Sequence, residues 1–248
     1  MTAPSQTPAV LLAGRRVLVC DGAMGTMLHA AGAALDRSLP ELNLTDPGLV
    51  STIHESYLSA GADIIQANTF GANRLWLGDH GVGDKVAEIN RAGVRIARAA
   101  QDRCERDVLV AGSVSPAVTG LQRRRTGSAE RAEVLREQIE AMLGRGEGPG
   151  VDILILETFG YLDELVEAVG VASELSDVPV LIMEGTFDAA TAPEWVDLIT
   201  PDLKNFQFVA FPFTGHAVLG KSTCALSIMA AFLDNPTKPV DPTCAARI

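Results

Sequence analysis

The chain is poor in aromatic residues, in cysteine and in cations. Of 248 residues only 5% are Phe, Trp or Tyr, four are Cys, and 20 Lys and Arg stand against 31 Asp and Glu, a formal charge of −11. The shortage of cations excludes a nucleic-acid partner, because an acidic surface repels phosphate backbones. The one basic cluster, Arg123-Arg124-Arg125, reads as a solvated loop. Cysteines at 20, 104, 224 and 244 are sparse and irregular, so neither a disulfide framework nor a CxxC metal or redox motif is expected. No run of eighteen apolar residues exists to span a bilayer, and the first fifteen residues lack a charged region followed by an apolar core. The expected location is the cytoplasm. His29, His54, His80 and His216 show no ligand spacing such as HExxH, and each reads as a surface or a satisfied core residue.

What is present is a repeating pattern. With 47% hydrophobic residues the chain is long enough for one large domain. Val17-Leu18-Val19 is a short apolar strand ending at Asp21-Gly22, which by local sequence is also compatible with an ordinary Asx turn. Asp46, Pro47 and Gly61 mark the start and stop of a helix with Leu49, Val50, Ile53, Tyr57 and Leu58 on one face. Residues 62–67 form a second strand closed by Asn68-Thr69-Phe70-Gly71, and a long amphipathic helix starts near Gly83. A third strand covers 108–113, Ser128 caps the next helix, a fourth strand covers 151–156 and ends at Glu157, and a fifth covers 179–183. Residues 1–15 read as a loose leader.

Apolar strands alternating with helices predict an all-parallel α/β sheet, best fitted by a (β/α)8 barrel of the TIM type. The doubly wound open sheet is the alternative, but Asp21-Gly22-Ala23-Met24-Gly25-Thr26 lacks the GxGxxG spacing that usually announces it. Stacking the strand ends lines one mouth with Asp21, Asn68, Thr69, Ser113 and Glu157. Two carboxylates, an amide and hydroxyls there suit a small zwitterion. Any one of these residues could instead only cap the helix that follows it. Glu157 is the strongest candidate, since a carboxylate after six apolar residues must find a partner or stay near the open end.

Several motifs carry a resemblance. Asp21-Gly22-Ala23-Met24-Gly25-Thr26-Met27, Glu41-Leu42-Asn43-Leu44-Thr45, Tyr57 to Ile65, Ala67 to Asn73, Gly112-Ser113-Val114-Ser115-Pro116 and Asp152 to Phe159 resemble the homocysteine S-methyltransferase domain. That domain is the barrel of methionine synthase and of betaine-dependent and S-methylmethionine-dependent homocysteine methyltransferases. It also occurs in bifunctional enzymes fused to methylenetetrahydrofolate reductase, to which the chain is most similar. The resemblance spans about 16–188. It implies a zinc ion held by three cysteine thiolates, which binds the homocysteine sulfur as thiolate and presents it to a methyl donor. It also implies that Asp21 and Glu157 hold the substrate ammonium, while Gly22, Ser113 and Asn68-Thr69-Phe70 shape the pocket and fix its carboxylate. The donor, a folate, cobalamin, betaine or sulfonium, stays open.

The departure lies in the last third. The family's Gly-x-Asn-Cys and Gly-Gly-Cys-Cys contexts are missing, and beyond Asp188 the pattern is lost, apart from one more strand at 206–211 and one more helix at 222–233. Cys224 and Cys244 are the only thiols there and are weak candidates for a metal site; Cys224 reads as a small apolar residue of a helix interior and Cys244 as part of a frayed tail. The expected organisation is therefore a leader at 1–15, a barrel portion at 16–188 and a divergent segment at 189–248. Three readings follow: a homocysteine methyltransferase, a non-catalytic module that kept the amino-acid mouth and lost zinc, or a truncated or frame-shifted product. About six strands are too few to close the barrel, so self-association or a partner chain that completes it is expected.

Overall fold

In a computed structural model of the chain, residues 18–120, 122–144, 148–176, 180–185, 200–202, 206–212, 214, 218 and 222–247 are described. The leader expected at 1–15, together with Val17, Asp188 and His216, lies outside them. The chain divides into two compact units, one of Leu18–Phe159 and one containing Gly160–Ile248.

The first unit is a three-stranded parallel sheet in the order β1 (Ile64–Ala67), β2 (Leu109–Val114), β3 (Ile153–Leu156). Helices α1 (Met24–Ala30), α2 (Leu42–Thr45), α3 (Pro47–Ala60), α4 (Arg74–Gly78), α5 (Val86–Asp102) and α6 (Ser128–Met142) accompany it. The punctuation read for α3 is the punctuation found. Asp46 accepts from the Leu49 amide at 3.2 Å, Pro47 is the first helical residue, and Gly61 closes the helix at φ +106°, a conformation that favours glycine. Ser128, by contrast, is the first residue of α6, and Gly127 occupies the cap position.

Among the described residues, the expected first strand is represented by a single parallel bridge, Cys20 to Ile64. The Asp63 carboxylate takes the Val19 amide at 3.0 Å, and Val19 O accepts from the Asp63 and Ile64 amides. A carboxylate that satisfies the backbone at the strand's entrance replaces further ladder bonds. β2 is buried along its whole length, whereas every residue of β3 is half-buried. Gly112 packs on the helical layer: a Cβ there would lie 2.9 Å from Met142 Sδ. Its neighbours Ala111 and Ser113 therefore project from the opposite face.

The second unit holds α7 (Leu162–Leu175), the parallel pair β4 (Val180–Gly185) and β5 (Phe206–Phe211), and α8 (Thr223–Asp234). β4 runs through Glu184 instead of ending before it. On α7 the buried face is Glu164, Ala168, Val169 and Val171. Val209, Phe211, Val218, Ala225, Ile228 and Ala245 form a small core. Two devices fasten the tail to it. The Gln207 amide donates to Pro236 O and Lys238 O, both at 2.9 Å, and its carbonyl accepts from the Val240 amide at 2.7 Å. Cys224 and Cys244 form a disulfide with their Cα atoms 5.8 Å apart. This corrects the expectation that neither cysteine pairs; twenty residues separate them in sequence, and only the return of the tail onto α8 brings them together.

Candidate active site

The parallel strands of the first unit all end on one side, and four of the expected residues stand there in register. Asp21 follows the Cys20 bridge, Asn68 follows β1, Ser113 is the penultimate residue of β2, and Glu157 follows β3. Their surroundings sort them into two kinds.

Asn68 and Thr69 face inward. Both hydrogens of the Asn68 amide are committed, to Leu39 O at 2.9 Å and Asn43 Oδ1 at 3.0 Å. Asn43 in turn donates to Asn68 O at 2.8 Å and Ile89 O at 3.1 Å. Both donors of the Asn68 side chain are thus engaged within the protein. Thr69 is fully buried; its hydroxyl donates to Ser113 O at 2.9 Å and accepts from Ser113 N at 3.0 Å. Gly93 makes this packing possible, since a Cβ there would sit 2.7 Å from Asn43 Nδ2 and 3.3 Å from Thr69 Cγ2.

Asp21, Gly22, Phe70 and Glu157 reach the surface. The Asp21 carboxylate accepts from the Gln66 amide at 2.9 Å, yet burial dominates and pushes its pKa up to about 6. Gly22 lies against Tyr57, whose hydroxyl would be 2.9 Å from a Cβ and donates to Ala23 O at 3.2 Å. Glu157 Oε1 accepts from Ser113 Oγ at 2.5 Å, a short charge-assisted bond across β2 and β3. Thr158 beside it has φ +65°, uncommon for a β-branched residue. Phe70 is 37% exposed and meets Trp76 edge to face at 5.7 Å. Sequence reading missed the supports: Asn43 as the anchor of the Asn68 turn, Ser115, whose hydroxyl accepts from the Gly71 amide at 3.1 Å, and Gln138 on α6. Asn43 and Ser115 stood within the Glu41-to-Thr45 and Gly112-to-Pro116 motifs without a role assigned to them, and Gln138 carried no signal beyond being a Gln in a helix.

The family model described as homocysteine S-methyltransferase matches residues 18–197. The chain belongs to the homocysteine S-methyltransferase family. Methionine synthases of Mycobacterium tuberculosis and Mycobacterium leprae are 39% and 38% identical over 164 residues, 62% of this chain and 13% of each relative. The chain thus spans about an eighth of the length of these curated relatives. The homocysteine methyltransferase MmuM from Escherichia coli, solved in a metallated form, shares the fold at TM-score 0.63 and 19% identity over 92% of both chains. Its oxidised form gives 0.61 and 20% over 97% of this chain and 98% of that one. A second family model, described as TAP-like protein, matches residues 164–244. The overlap of the two matches, 164–197, falls where the second compact unit begins.

The zinc that this homocysteine S-methyltransferase family implies finds no fitting donor set here. Three thiolates are needed, and the chain has four cysteines, two of which are bonded to each other. Cys20 lies beside the sheet and Cys104 follows α5 in the helical layer. Among the described residues no group of three His, Cys, Asp or Glu is arranged to hold a metal ion. No helix among them is long and apolar enough to cross a membrane.

Proposed function

We propose that residues 16–188 are the homocysteine-binding portion of a methyltransferase barrel, and that this chain recognises the amino-acid end of homocysteine. The observation that carries the proposal is the Ser113–Glu157 bond at the same strand ends as the half-buried Asp21. Asp21 and Glu157 would accept from the substrate ammonium, and its charge would relieve the desolvation that raises Asp21. Backbone N–H groups near the exposed Gly22, and the exposed Phe70 ring, would complete the mouth. Asn68, Thr69 and Ser113 would hold the mouth in shape.

Methyl transfer to the homocysteine thiol is the family's reaction, and we propose that this chain alone performs it slowly or not at all. A free thiol has a pKa of about 8.5, so only a few per cent is thiolate at pH 7 without a metal to lower it. Calorimetric titration with L-homocysteine and L-methionine tests recognition, and metal analysis with a methionine-formation assay on S-methylmethionine, betaine and methyl-folate tests turnover. Binding without turnover supports the proposal. No binding of either amino acid defeats it, and one equivalent of zinc with turnover near one per second defeats the second half.

A second reading concerns residues 189–248. The similarity of 164–244 to the TAP-like family, the separate pairing of β4 (Val180–Gly185) with β5, and the disulfide support a segment of different ancestry, begun before residue 189 and joined to an unfinished barrel. On that reading the half-buried β3 is an open edge, and self-association or a partner chain would cover it. Sedimentation across a hundredfold concentration range decides it, with a monomer throughout as the contrary result. We place the chain in the cytoplasm; the Cys224–Cys244 bond is the feature that a reducing compartment would open.

A further inference from the structure

We infer that Gln138 is a positioning residue for the mouth, an inference that rests on the amino-acid-binding reading above. It sits on α6, is fully buried, and reaches the sheet from the helical side. Its amide donates to Thr69 O at 2.8 Å and points at Ser113 O at 3.5 Å. One side chain thus touches the turn after β1 and the end of β2, sixty-nine and twenty-five positions away in sequence.

Three bonds then converge on the backbone of Ser113. The Thr69 hydroxyl holds both its N–H and its C=O, Gln138 approaches the same C=O, and the Ser113 hydroxyl donates to Glu157. Rotation of the Ser113 peptide would carry its hydroxyl away from Glu157, so the direction of the carboxylate depends on the grip behind it. The Thr69 carbonyl also accepts from the Ala72 amide at 3.0 Å, which fixes the turn that presents Phe70 and Gly71.

The other end of the Gln138 amide argues for placement over packing. Its Oε1 is buried and has no hydrogen-bond partner among the described residues. A buried acceptor without a partner is unfavourable, and a Leu or Met would fill the same helix position without it. Apart from Arg131 at its first turn, the other buried positions of α6, Val134, Leu135, Ile139, Ala141 and Met142, are apolar. A polar group kept at a cost in the middle of that face is one whose donor has a use.

The test compares wild type with Q138M, which keeps the volume and removes the donor. We expect amide exchange at Gly71 and Ser113 to quicken, with L-homocysteine binding weaker by about tenfold or more, as small misplacements of a site do. The melting of the first unit should stay where it was or rise. If exchange and affinity both match wild type, or if exchange quickens evenly over β1, β2 and β3 while melting falls, Gln138 is structural and the inference fails. Should Q138M not fold, Q138E serves: a protonated carboxyl still donates to Thr69 O, while an ionised one faces two carbonyl oxygens. Its affinity should therefore fall with rising pH more steeply than that of wild type, and parallel profiles would overturn the inference. A wild type that binds neither homocysteine nor methionine sinks the functional reading, and the exchange measurement still decides the role of Gln138.

Discussion

The two compact units are held together by different physics. In Leu18–Phe159 the sheet is pinned by side chains that bond to backbone far away in sequence. Arg98 spans Asp152 at 2.7 and 2.8 Å and Gly150 O, Asp152 accepts from the Val110 amide, and Arg106 joins Asp63 to Leu58 O and Ala62 O. In Gly160–Ile248 the small core is closed by the Gln207 clasp and one covalent bond. A network of many modest bonds resists any single loss except at its buried charges, whereas a clipped tail depends on its clip.

The contrast would break most visibly at Asp152. Its side chain is 9% exposed against 18% for Arg98, and Asp152→Ala leaves that guanidinium nearly buried without its carboxylate. We expect a loss of about 3–5 kcal/mol confined to the first unit, read by denaturant melts with hydrogen exchange assigning the unit. A smaller loss, about 3 kcal/mol for a loop of this length, is expected in the second unit for Cys224→Ser with Cys244→Ser. Calorimetry should show only the second unit's transition move; a shift of both would mean the units melt as one.

Much of the first unit was open to sequence reading because its signals are local. The Asp46, Pro47 and Gly61 punctuation works through neighbours a few residues away, and the alternation of β and α needs only periodicity. The strand at 206–211 matched β5 for the same reason. What escaped was set by distance. Gln138 stands in the polar run Arg136-Glu137-Gln138, where no neighbour marks it as buried, and nothing near Cys224 announces Cys244. His54, read as a surface or satisfied core residue, is fully buried with neither ring nitrogen bonded among the described residues.

That histidine and Asp21 pull the first unit in opposite directions as pH changes. Burial lowers His54 from 6.5 to about 4, so its contribution is present above pH 6.5 and is lost as the pH falls toward 4. Burial raises Asp21 from 3.8 to about 6, so its contribution is present below pH 3.8 and is lost as the pH rises through 6. The wild type should therefore change little between pH 4 and 6.5 from these two groups. His54→Leu should make the unit more stable on acidification, and Asp21→Asn less stable. Identical melting profiles for the two variants would show that neither burial persists in solution. The smallest effect is expected at an exposed ion pair: Glu55→Ala removes the pair with Arg103 and should cost no more than about 0.5 kcal/mol, measurable only as a double-mutant cycle.

The edge-to-face contact between Phe70 and Trp76 has a spectroscopic consequence. The chain has two tryptophans, of which Trp195 lies outside the described residues, and the indole of Trp76 closes over Gly71, where a Cβ would be 2.8 Å from its ring. Its emission is therefore set by the turn that borders the mouth. In a Trp195→Phe background, any ligand that shifts Phe70 will change the brightness or colour of one fluorophore, so occupancy can be followed by light in the unlabelled protein.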